Sequence, residues 1–352
     1  MDLNNGNPLV SLITVNYNGR QYLPLLLESL KKLTYSPVEF ILVDNASSDD
    51  SVDFVRRNYP HVKVIQNPEN FMFARGNNEG IRAARGEIIC LINNDVKADP
   101  DFLRILVDQF MKKPEMAAAQ PKVLDLNDED RFEYAGAAGG FIDRYGYPFM
   151  RGRLFFTLEK DTGQYNELSE IFWATGACFL IRKSVLEKIG LLDEDFRMHM
   201  EEIDLCWRMH LIGFRLFCVP AARVWHKGGG TLSSENPRKV YWNFRNNIFL
   251  LVKNLHLLNL IRIIPVRLLL DSVAFAREII SGNLPNALSI GKAYFWILSH
   301  PKIVLGKRRK VQNQRQLKDD KIFKLIYPGS IVWEYFVRGR KRFSDLKRIN
   351  AL

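Results

Sequence analysis

Residues 10–49 read VSLITVNYNGRQYLPLLLESLKKLTYSPVEFILVDNASSD. The apolar run Val10–Asn16 predicts a buried strand, and the periodicity from Tyr22 to Leu33 predicts a helix. A second apolar run, Glu39–Val43, predicts another strand that ends in polar, turn-forming residues. A strand, a helix and a strand of these lengths predict two parallel strands joined by a crossover helix.

The same alternation continues downstream and predicts the rest of a sheet. Further strands are expected at residues 62–66, 88–92, 116–123, 171–181 and 214–219, with helices at 51–58, 73–85, 101–111, 184–189 and 202–211. Residues 124–170 lose this periodicity, which predicts a loop or hairpin excursion over the sheet. Strands that alternate with helices predict an α/β fold with a doubly wound, mostly parallel sheet.

Polar residues follow three of the predicted strands. Asn16 ends the first strand and Asn18 follows it, Asp44 follows the second strand, and Asn93-Asn94-Asp95 follows the fourth. Ligands of doubly wound sheets bind outside the carboxyl ends of the strands. At this edge Asp95 could hold Mg²⁺ or Mn²⁺, or it could be only a helix N-cap. Asp44 could bind a hydroxyl group of a ligand, or it could be only a turn former.

A second group of candidate residues lies between Leu191 and Thr231. Glu201 and Glu202 begin a predicted helix, where a carboxylate can act as a general base or simply favour the positive end of the helix dipole. Adjacent helical positions face different directions, so at most one or two acids of this group can share a site. His226 follows a strand and precedes three glycines, and it could ligate a metal or serve as a hydrogen-bonded structural residue.

Charge is distributed unevenly along the chain. Residues 248–352 carry 20 Lys and Arg against 6 Asp and Glu, whereas the whole chain carries 50 against 39. Residues 248–304 mix apolar residues with spaced cations, which is typical of helices at an anionic membrane surface or of helices packed on the preceding domain. Basic runs at 307–310 and 338–342 also fit nucleic-acid binding, but the slightly acidic first 247 residues and the lack of a known binding motif argue against it.

Two further observations bear on location. The four cysteines form no CxxC pair and the N-terminus has no basic, apolar leader pattern, so a reducing, cytoplasmic compartment is expected. No run of 18 uncharged apolar residues occurs, so a membrane-spanning helix is not expected.

Six segments in chain order resemble the family-2 inverting glycosyltransferases, above all the rhamnosyltransferase-like branch that builds bacterial surface polysaccharides. They are VSLITVNYNG (10–19), VDNASSD (43–49), NFMFARGNNEGI (70–81), LINNDV (91–96), WATGACFLIRK (173–183) and the acidic stretch that leads to His226. The resemblance covers roughly residues 8–250. It implies a GT-A fold in residues 1–247. The residue pattern and charge of residues 248–352 predict a basic, amphipathic helical extension after it.

The resemblance also implies roles for individual residues. Asp95 and His226 would hold Mg²⁺ or Mn²⁺, and Glu202, or Glu201 beside it, would be the general base. The nucleotide-sugar would lie against Asn16, Asn18, Asp44, Asn70, Arg75, Asn77, Asn94 and Arg245, of which Arg245 matches the family's pattern most loosely. The acceptor would lie against Thr175, Gly176, Asp193 and Glu194.

Two positions depart from the family's pattern. Glu202 stands where the family more commonly has Asp, which lengthens the side chain of the expected base by one methylene group. Met72 stands where the family often has Gly, which is expected to narrow the floor of the nucleotide pocket. Gly228–Gly230 is expected to close over the donor as a lid.

The expected reaction moves a sugar from dTDP-rhamnose or a UDP-sugar to a hydroxyl group of a polyprenyl-linked or saccharide acceptor. The protein is expected on the inner face of the cell membrane as a peripheral protein, without a nucleic-acid partner. The alternative is a catalytically inactive protein that only binds nucleotide sugars. A dinucleotide-dependent dehydrogenase is excluded because NYNGRQYL follows the first strand, with no G-x-G-x-x-G motif.

Overall fold

The computed structural model describes residues 6–228 and 236–346. Its strands are β1 (Val10–Asn16), β2 (Val38–Asp44), β3 (Lys63–Gln66), β4 (Ile88–Ile92), β5 (Val96–Ala98), β6 (Met116–Asp125), β7 (Gly140–Ile142), β8 (Pro148–Met150), β9 (Arg153–Leu154), β10 (Thr157–Leu158), β11 (Ser169–Ile171), β12 (Cys178–Arg182) and β13 (Arg215–His226). Its helices are α1 (Leu23–Leu30), α2 (Ser51–Asn58), α3 (Met72–Ala83), α4 (Phe102–Lys112), α5 (Lys183–Ile189), α6 (Glu201–Leu211), α7 (Pro237–Asn254), α8 (Leu257–Ile280), α9 (Leu284–Ser299), α10 (Pro301–Gln314) and α11 (Asp319–Ile322).

One sheet of nine strands forms the centre of the fold. Its order is β11-β13-β6-β12-β4-β1-β2-β3, with β5 paired to β13. Six strands, β1, β2, β3, β4, β6 and β13, run in the same direction, so the sheet is mostly parallel, as predicted. The register pairs Asn16 of β1 with Asp44 of β2, and β1 also pairs with β4. The polar ends of these three strands therefore meet at one edge of the sheet.

The core covers both faces of this sheet, because successive residues of a strand point to opposite faces. Ile89 and Leu91 of β4 pack in one apolar cluster with residues of α3 and α6. Cys90 and Ile92 of the same strand pack in a second cluster with residues of α1 and α4. Burial on both faces explains why these strands are continuous apolar runs rather than alternating ones.

Residues 124–170 hold more regular structure than the predicted excursion. Four short strands form a separate antiparallel sheet in the order β10-β9-β8-β7. The strand predicted from Ile171 to Ile181 is wrong, because the chain forms two strands, β11 and β12, with different partners. Between them Trp173 pairs with Gly140, where a β-carbon would lie 2.2 Å from the indole ring. The absence of a side chain at Gly140 therefore lets Trp173 leave the main ladder.

Strand β13 is longer than predicted and carries His226 to the polar edge. The predicted strand stops at Val219, but β13 continues past Pro220 to His226. The pairing with β6 shifts register between Val219 and Arg223, and a proline is tolerated at such a bulge. After the bulge, His226 pairs with Val96, the residue that follows Asp95.

The C-terminal helices contact the α/β domain through buried charges as well as apolar residues. The proposed boundary after residue 247 falls inside α7, whose Phe249, Leu250 and Leu251 are fully buried. Lys253 Nζ lies 2.5 Å from Asp193 Oδ2 and 2.8 Å from Asp204 Oδ2. Residues on both sides of the proposed boundary therefore share one core.

The outer helices have a different character. Apolar side chains of α8 and α9 remain exposed, among them Leu258, Leu269, Ile280, Phe295 and Leu298. No helix within residues 6–228 and 236–346 is both long enough and apolar enough to cross a membrane.

We expect Lys253→Met to destabilise the protein by about 1–3 kcal/mol, because Asp193 and Asp204 lose the cation that they share and keep only Lys307 and Arg208. Urea denaturation followed by circular dichroism measures this loss. The matched control is Lys302→Met, which removes an exposed lysine of α10 and should change the free energy of unfolding by less than about 0.5 kcal/mol. Equal losses in the two variants would show that Lys253 does not join the helices to the domain.

Candidate active site

The polar ends of β1, β2 and β4 form one hydrogen-bonded group. Asn16 Nδ2 donates to Asp44 Oδ1 at 3.1 Å, and Asn94 Nδ2 donates to Asn16 Oδ1 at 2.9 Å. The hydroxyl and backbone N–H of Ser47 also donate to the Asp44 carboxylate. A β-carbon at Gly19 would lie 2.2 Å from Asn94 Nδ2, so this position needs a glycine. These hydrogen bonds hold together the edge of the sheet on which a cavity opens.

This cavity has a volume of about 1100 Å³. Five of the predicted site residues line it, namely Asn70, Asn94, Asp95, Glu202 and His226. Its other walls come from the second sheet and from α7, α8 and α9. The structure therefore brings the predicted metal ligands and the predicted base to one cavity.

His226 lies between two carboxylates in this cavity. Its Nε2 is 3.0 Å from Asp95 Oδ1, and its Nδ1 is 3.3 Å from Glu133 Oε2. Burial alone would lower the pKa of His226, but the two carboxylates outweigh burial and raise it to about 10. Burial raises the pKa of Asp95, yet the contact with His226 lowers it overall. The two carboxylates therefore favour positive charge at this corner of the cavity.

Asp95 and His226 also fit a divalent cation. No cluster of three His, Cys, Asp or Glu ligands occurs within residues 6–228 and 236–346. A hard cation that shares its coordination sphere with substrate phosphates needs only one or two protein ligands. The 3.0 Å between Asp95 Oδ1 and His226 Nε2 matches adjacent ligand atoms around an ion with bonds of about 2.1 Å. Glu133 on the far side of the ring would orient the imidazole.

The two glutamates at the start of α6 face different surroundings. Glu202 lines the cavity, whereas Glu201 is buried in the protein interior. Burial raises the pKa of Glu202 to about 7, and burial together with Glu202 raises the pKa of Glu201 well above its usual value. A carboxylate with a pKa near neutrality can accept a proton from a hydroxyl group and release it again. Glu202 is therefore the acid of this pair that a ligand in the cavity can reach.

The side chains of Asn18, Asn70, Arg75 and Asn77, which were also predicted at the nucleotide, contact other residues of the chain, and of these four only Asn70 lines the cavity. The Asn18 side chain accepts from the backbone N–H of Ser48, and Asn70 Oδ1 accepts from the backbone N–H of Met72. Met72 lines the cavity in a left-handed conformation, with φ of +58°. The Arg75 guanidinium stacks on Phe71, 3.3 Å from the ring centre, and Asn77 Nδ2 donates to the carbonyl of Phe73 within α3.

The residues predicted at the acceptor make mainly internal contacts. The Thr175 hydroxyl donates to the carbonyl of Ala135 at 2.7 Å, and Gly176 packs against the Phe73 ring. Asp193 pairs with Lys253 and Lys307, and Glu194 pairs with Arg82. None of these four predicted residues is among those that line the cavity.

Arg245 likewise does not line the cavity. Its guanidinium donates to the carbonyl of Asp195 and lies against the rings of Trp242 and Trp296. Burial lowers the pKa of Arg245 to about 10. The side chain is thus engaged with the segment that precedes α6.

Among the cavity residues that the sequence does not predict, Glu133 and His199 are ionisable groups close to the predicted metal ligands and the predicted base. Glu133 lies in the segment without periodicity, where its only signal is an acid within the apolar stretch FEYAGAAGGF. His199 precedes the acidic pair, and burial lowers its pKa to about 4, so it is neutral at pH 7. The predicted glycine lid at 228–230 lies outside the described residues except for Gly228.

Residues 11–190 match the family described as Glycosyl transferase family 2. The chain belongs to glycosyl transferase family 2. It is therefore a glycosyltransferase that acts on nucleotide sugars, and the family predicted from the sequence is confirmed.

Two relatives support the likeness to the rhamnosyltransferase-like branch. The O-antigen biosynthesis protein RfbC of Myxococcus xanthus is 28% identical over 245 residues, which cover 67% of this chain and 19% of that protein. The N-acetylglucosaminyl-diphospho-decaprenol L-rhamnosyltransferase of Mycobacterium tuberculosis is 27% identical over 237 residues, which cover 62% of this chain and 76% of that protein.

Two crystal structures share the fold and confirm the predicted GT-A architecture. Staphylococcus aureus TarS 1–349 in complex with UDP-GlcNAc has a TM-score of 0.56 at 16% identity, over 94% of this chain and 92% of that one. GalNAc-T7 with UDP, GalNAc and Mn²⁺ has a TM-score of 0.55 at 18% identity, over 72% of this chain and 48% of that one.

Proposed function

We propose that the protein transfers a sugar with inversion, in a single displacement for which Glu202 is the general base. The observation that carries this proposal is that Glu202 and the Asp95–His226 pair line the same cavity. Glu202 takes the proton of an acceptor hydroxyl, and that oxygen bonds to the anomeric carbon from the face opposite the leaving group. The bond from the anomeric carbon to the nucleoside diphosphate breaks, and the diphosphate leaves with the electron pair.

The donor is proposed to lie along the amide-rich edge of the sheet. Asn45, Asn70, Asn93 and Asn94 line this part of the cavity, and their side chains can donate to and accept from a nucleoside and a sugar. The relative from Mycobacterium tuberculosis is named a rhamnosyltransferase, and the TarS structure contains UDP-GlcNAc. We therefore propose dTDP-rhamnose or a UDP-sugar as the donor.

Asp95 and His226 are proposed to hold Mg²⁺ or Mn²⁺, since the solved GalNAc-T7 structure contains Mn²⁺. When bound, such a cation neutralises charge that develops on the leaving diphosphate. The side chains around this position suit a divalent cation. Asp95 supplies a hard oxygen ligand. Glu133 lies 3.3 Å from Nδ1 of His226, on the side of the ring opposite to Nε2, which is 3.0 Å from Asp95.

The acceptor is proposed to be a polyprenyl-linked or saccharide hydroxyl, presented at the inner face of the cell membrane. Residues 248–352 carry 20 Lys and Arg against 6 Asp and Glu, a net charge of +14, whereas the whole chain has a net charge of +11. Exposed Arg262, Lys292 and Lys302 lie on α8, α9 and α10, which also expose many apolar side chains. Apolar side chains flanked by cations suit the surface of an anionic leaflet.

We expect Glu202→Gln to lower kcat by about 10²–10⁴-fold, because the amide cannot accept the proton. The assay follows nucleoside diphosphate release from dTDP-rhamnose and a panel of UDP-sugars, with a short-chain polyprenyl-diphosphate N-acetylglucosamine as acceptor. Donor binding, measured by calorimetry, should not change. Glu201→Gln is the matched variant, and a larger loss of kcat in it than in Glu202→Gln would move the base to Glu201.

The rate should also depend on pH in a defined direction. Because the base must be ionised and the pKa of Glu202 is raised to about 7, kcat/KM should fall about tenfold for each pH unit below 7. The profile measured from pH 5 to 9 checks this, and Glu202→Gln should lack this acid limb. A wild-type profile that stays flat down to pH 5 would contradict the assignment.

We expect Asp95→Asn and His226→Ala each to weaken Mn²⁺-dependent binding of UDP or dTDP by at least about tenfold. Calorimetry with Mn²⁺ and with a chelator measures the metal-dependent part of the affinity. Asp128→Asn, which removes a partly exposed carboxylate paired with Arg131, is the matched control and should bind as the wild type does. Metal-dependent binding that survives in both Asp95→Asn and His226→Ala would exclude these ligands.

We expect Leu269→Glu and Leu298→Glu each to lower binding to anionic vesicles by about tenfold or more, because each removes apolar area that the leaflet would cover. Flotation of the full chain with phosphatidylglycerol vesicles measures the bound fraction. Met111→Glu adds the same charge at an exposed apolar residue of α4 and is the control. Equal flotation of all four proteins would remove this face from the proposal.

A further inference from the structure

The segment from Asp195 to Met200, which leads into α6, has an unusual backbone. Arg197, His199 and Met200 have φ values of +61°, +68° and +72°, in the left-handed region that side chains other than glycine rarely adopt. Each such residue costs free energy, so the surroundings must hold the segment in this form. Met198, His199 and Met200 line the cavity, and Glu202 follows two residues later.

Every backbone carbonyl of this segment has a hydrogen-bond donor. Asn246 of α7 contacts three of them, since its Nδ2 lies 3.0 Å from the carbonyl oxygen of Phe196, 2.8 Å from that of Met198 and 2.7 Å from that of His199. The remaining three carbonyls, those of Asp195, Arg197 and Met200, accept from the Arg245 guanidinium and from the backbone N–H groups of Ala74 and Asp204. The conformation is thus fixed mainly from α7.

The chemistry at position 246 suits an amide and few other groups. Asn246 is fully buried, and its Oδ1 accepts from Arg245 Nε at 2.7 Å. The two hydrogens of its Nδ2 are shared among the three carbonyls of the segment. An aspartate has the same shape, but its carboxylate oxygen would face the carbonyl oxygens of the segment, and neither group can donate. A smaller side chain would leave these buried carbonyls without a donor.

We propose that Asn246 is a positioning residue for sugar transfer, which acts by holding residues 196–199 so that the Glu202 carboxylate enters the cavity at the correct place. This role rests on the proposed function of Glu202 as the base. Asn246 is not among the residues that line the cavity, so it acts through the segment and not on the substrates. A small displacement of a catalytic group lowers the rate steeply, by roughly 10²-fold for about 1 Å.

The test compares Asn246→Asp and the milder Asn246→Ser with Asn254→Ala in the full chain. Asn254 is a second buried asparagine of α7, and it donates to the Asp204 carboxylate in α6 without touching the segment. Transfer is followed with dTDP-rhamnose, or with the UDP-sugar of the panel that the wild type uses. We expect both Asn246 variants to lower kcat roughly 10²-fold, with the donor KM within about twofold of the wild type.

Two further measurements separate positioning from a general loss of stability. Amide hydrogen exchange should accelerate at residues 195–205 in the Asn246 variants and not in the central strands. Asn254→Ala should lower the melting temperature comparably but keep kcat within about threefold. Because a loosened segment admits water around Glu202, the acid limb of kcat/KM in the Asn246 variants should move below pH 7.

The outcomes distinguish this inference from the proposed function. A wild type that transfers no sugar from any donor of the panel contradicts the proposed function, and the positioning role falls with it. A wild type that transfers sugar, with Asn246 variants that match Asn254→Ala in kcat and in the acid limb, contradicts the positioning role alone. Unchanged exchange at residues 195–205 in both Asn246 variants also overturns it.

Discussion

The attachment of α7 to the start of α6 is the constraint on which the site depends. Asn246 contacts the strained segment before α6. Seven residues further along α7, Lys253 bridges the buried carboxylates of Asp193 and Asp204. Buried ions and amides of this kind add little net stability, because their desolvation offsets most of their attraction. Each of these buried groups, however, can be satisfied by only a few partners, which must lie in defined directions. The contacts therefore favour one placement of α6 over others that apolar packing alone would allow.

The pKa of Asp95 and the pKa values of Glu201 and Glu202 shift in opposite directions. Asp95 is buried against His226, and the contact lowers the Asp95 pKa and raises the histidine's. Glu201 and Glu202 are buried next to each other. Burial raises both pKa values, and the neighbouring Glu202 raises that of Glu201 further. Burial is common to the two places, and the neighbouring charge decides the sign. The corner at Asp95 and His226 therefore favours bound positive charge. At the other corner, Glu202 can gain and lose a proton near neutral pH.

Much of the fold could be predicted because its signals are local. The apolar runs of β1, β2 and β4 and the helical periodicity between them are each contained within a dozen residues. The end of β13 was missed because Pro220 suggests a stop, whereas the sheet accepts it at a bulge. The break between β11 and β12 depends on Gly140, some thirty residues earlier in the chain. Contacts of that kind leave no trace in the local pattern.

The site residues, too, differ in whether a local sequence signal reveals them. Asp95 and His226 are 131 positions apart in the chain, yet each could be named as a candidate from the sequence, since each lies in a short motif at a strand end. Glu133 belongs to no such motif, and only the folded second sheet brings it to the imidazole. For Arg245 the resemblance implied contact with the nucleotide. In the structure its guanidinium donates to the carbonyl of Asp195, and Asn246 beside it donates to carbonyls of the same segment.

The same geometry explains why the C-terminal helices cannot be treated as one appendage. α7 and α10 supply Lys253 and Lys307 to the buried acids around Asp193, so they are part of the α/β core. α8 and α9 contribute to the cavity wall on one side and expose apolar side chains on the other. A cut after residue 247 would remove the end of α7 together with the outer helices, and loss of membrane binding could then not be separated from unfolding. Single substitutions on the outer face of α8 and α9 avoid this, because they leave every buried ion pair of α7 in place.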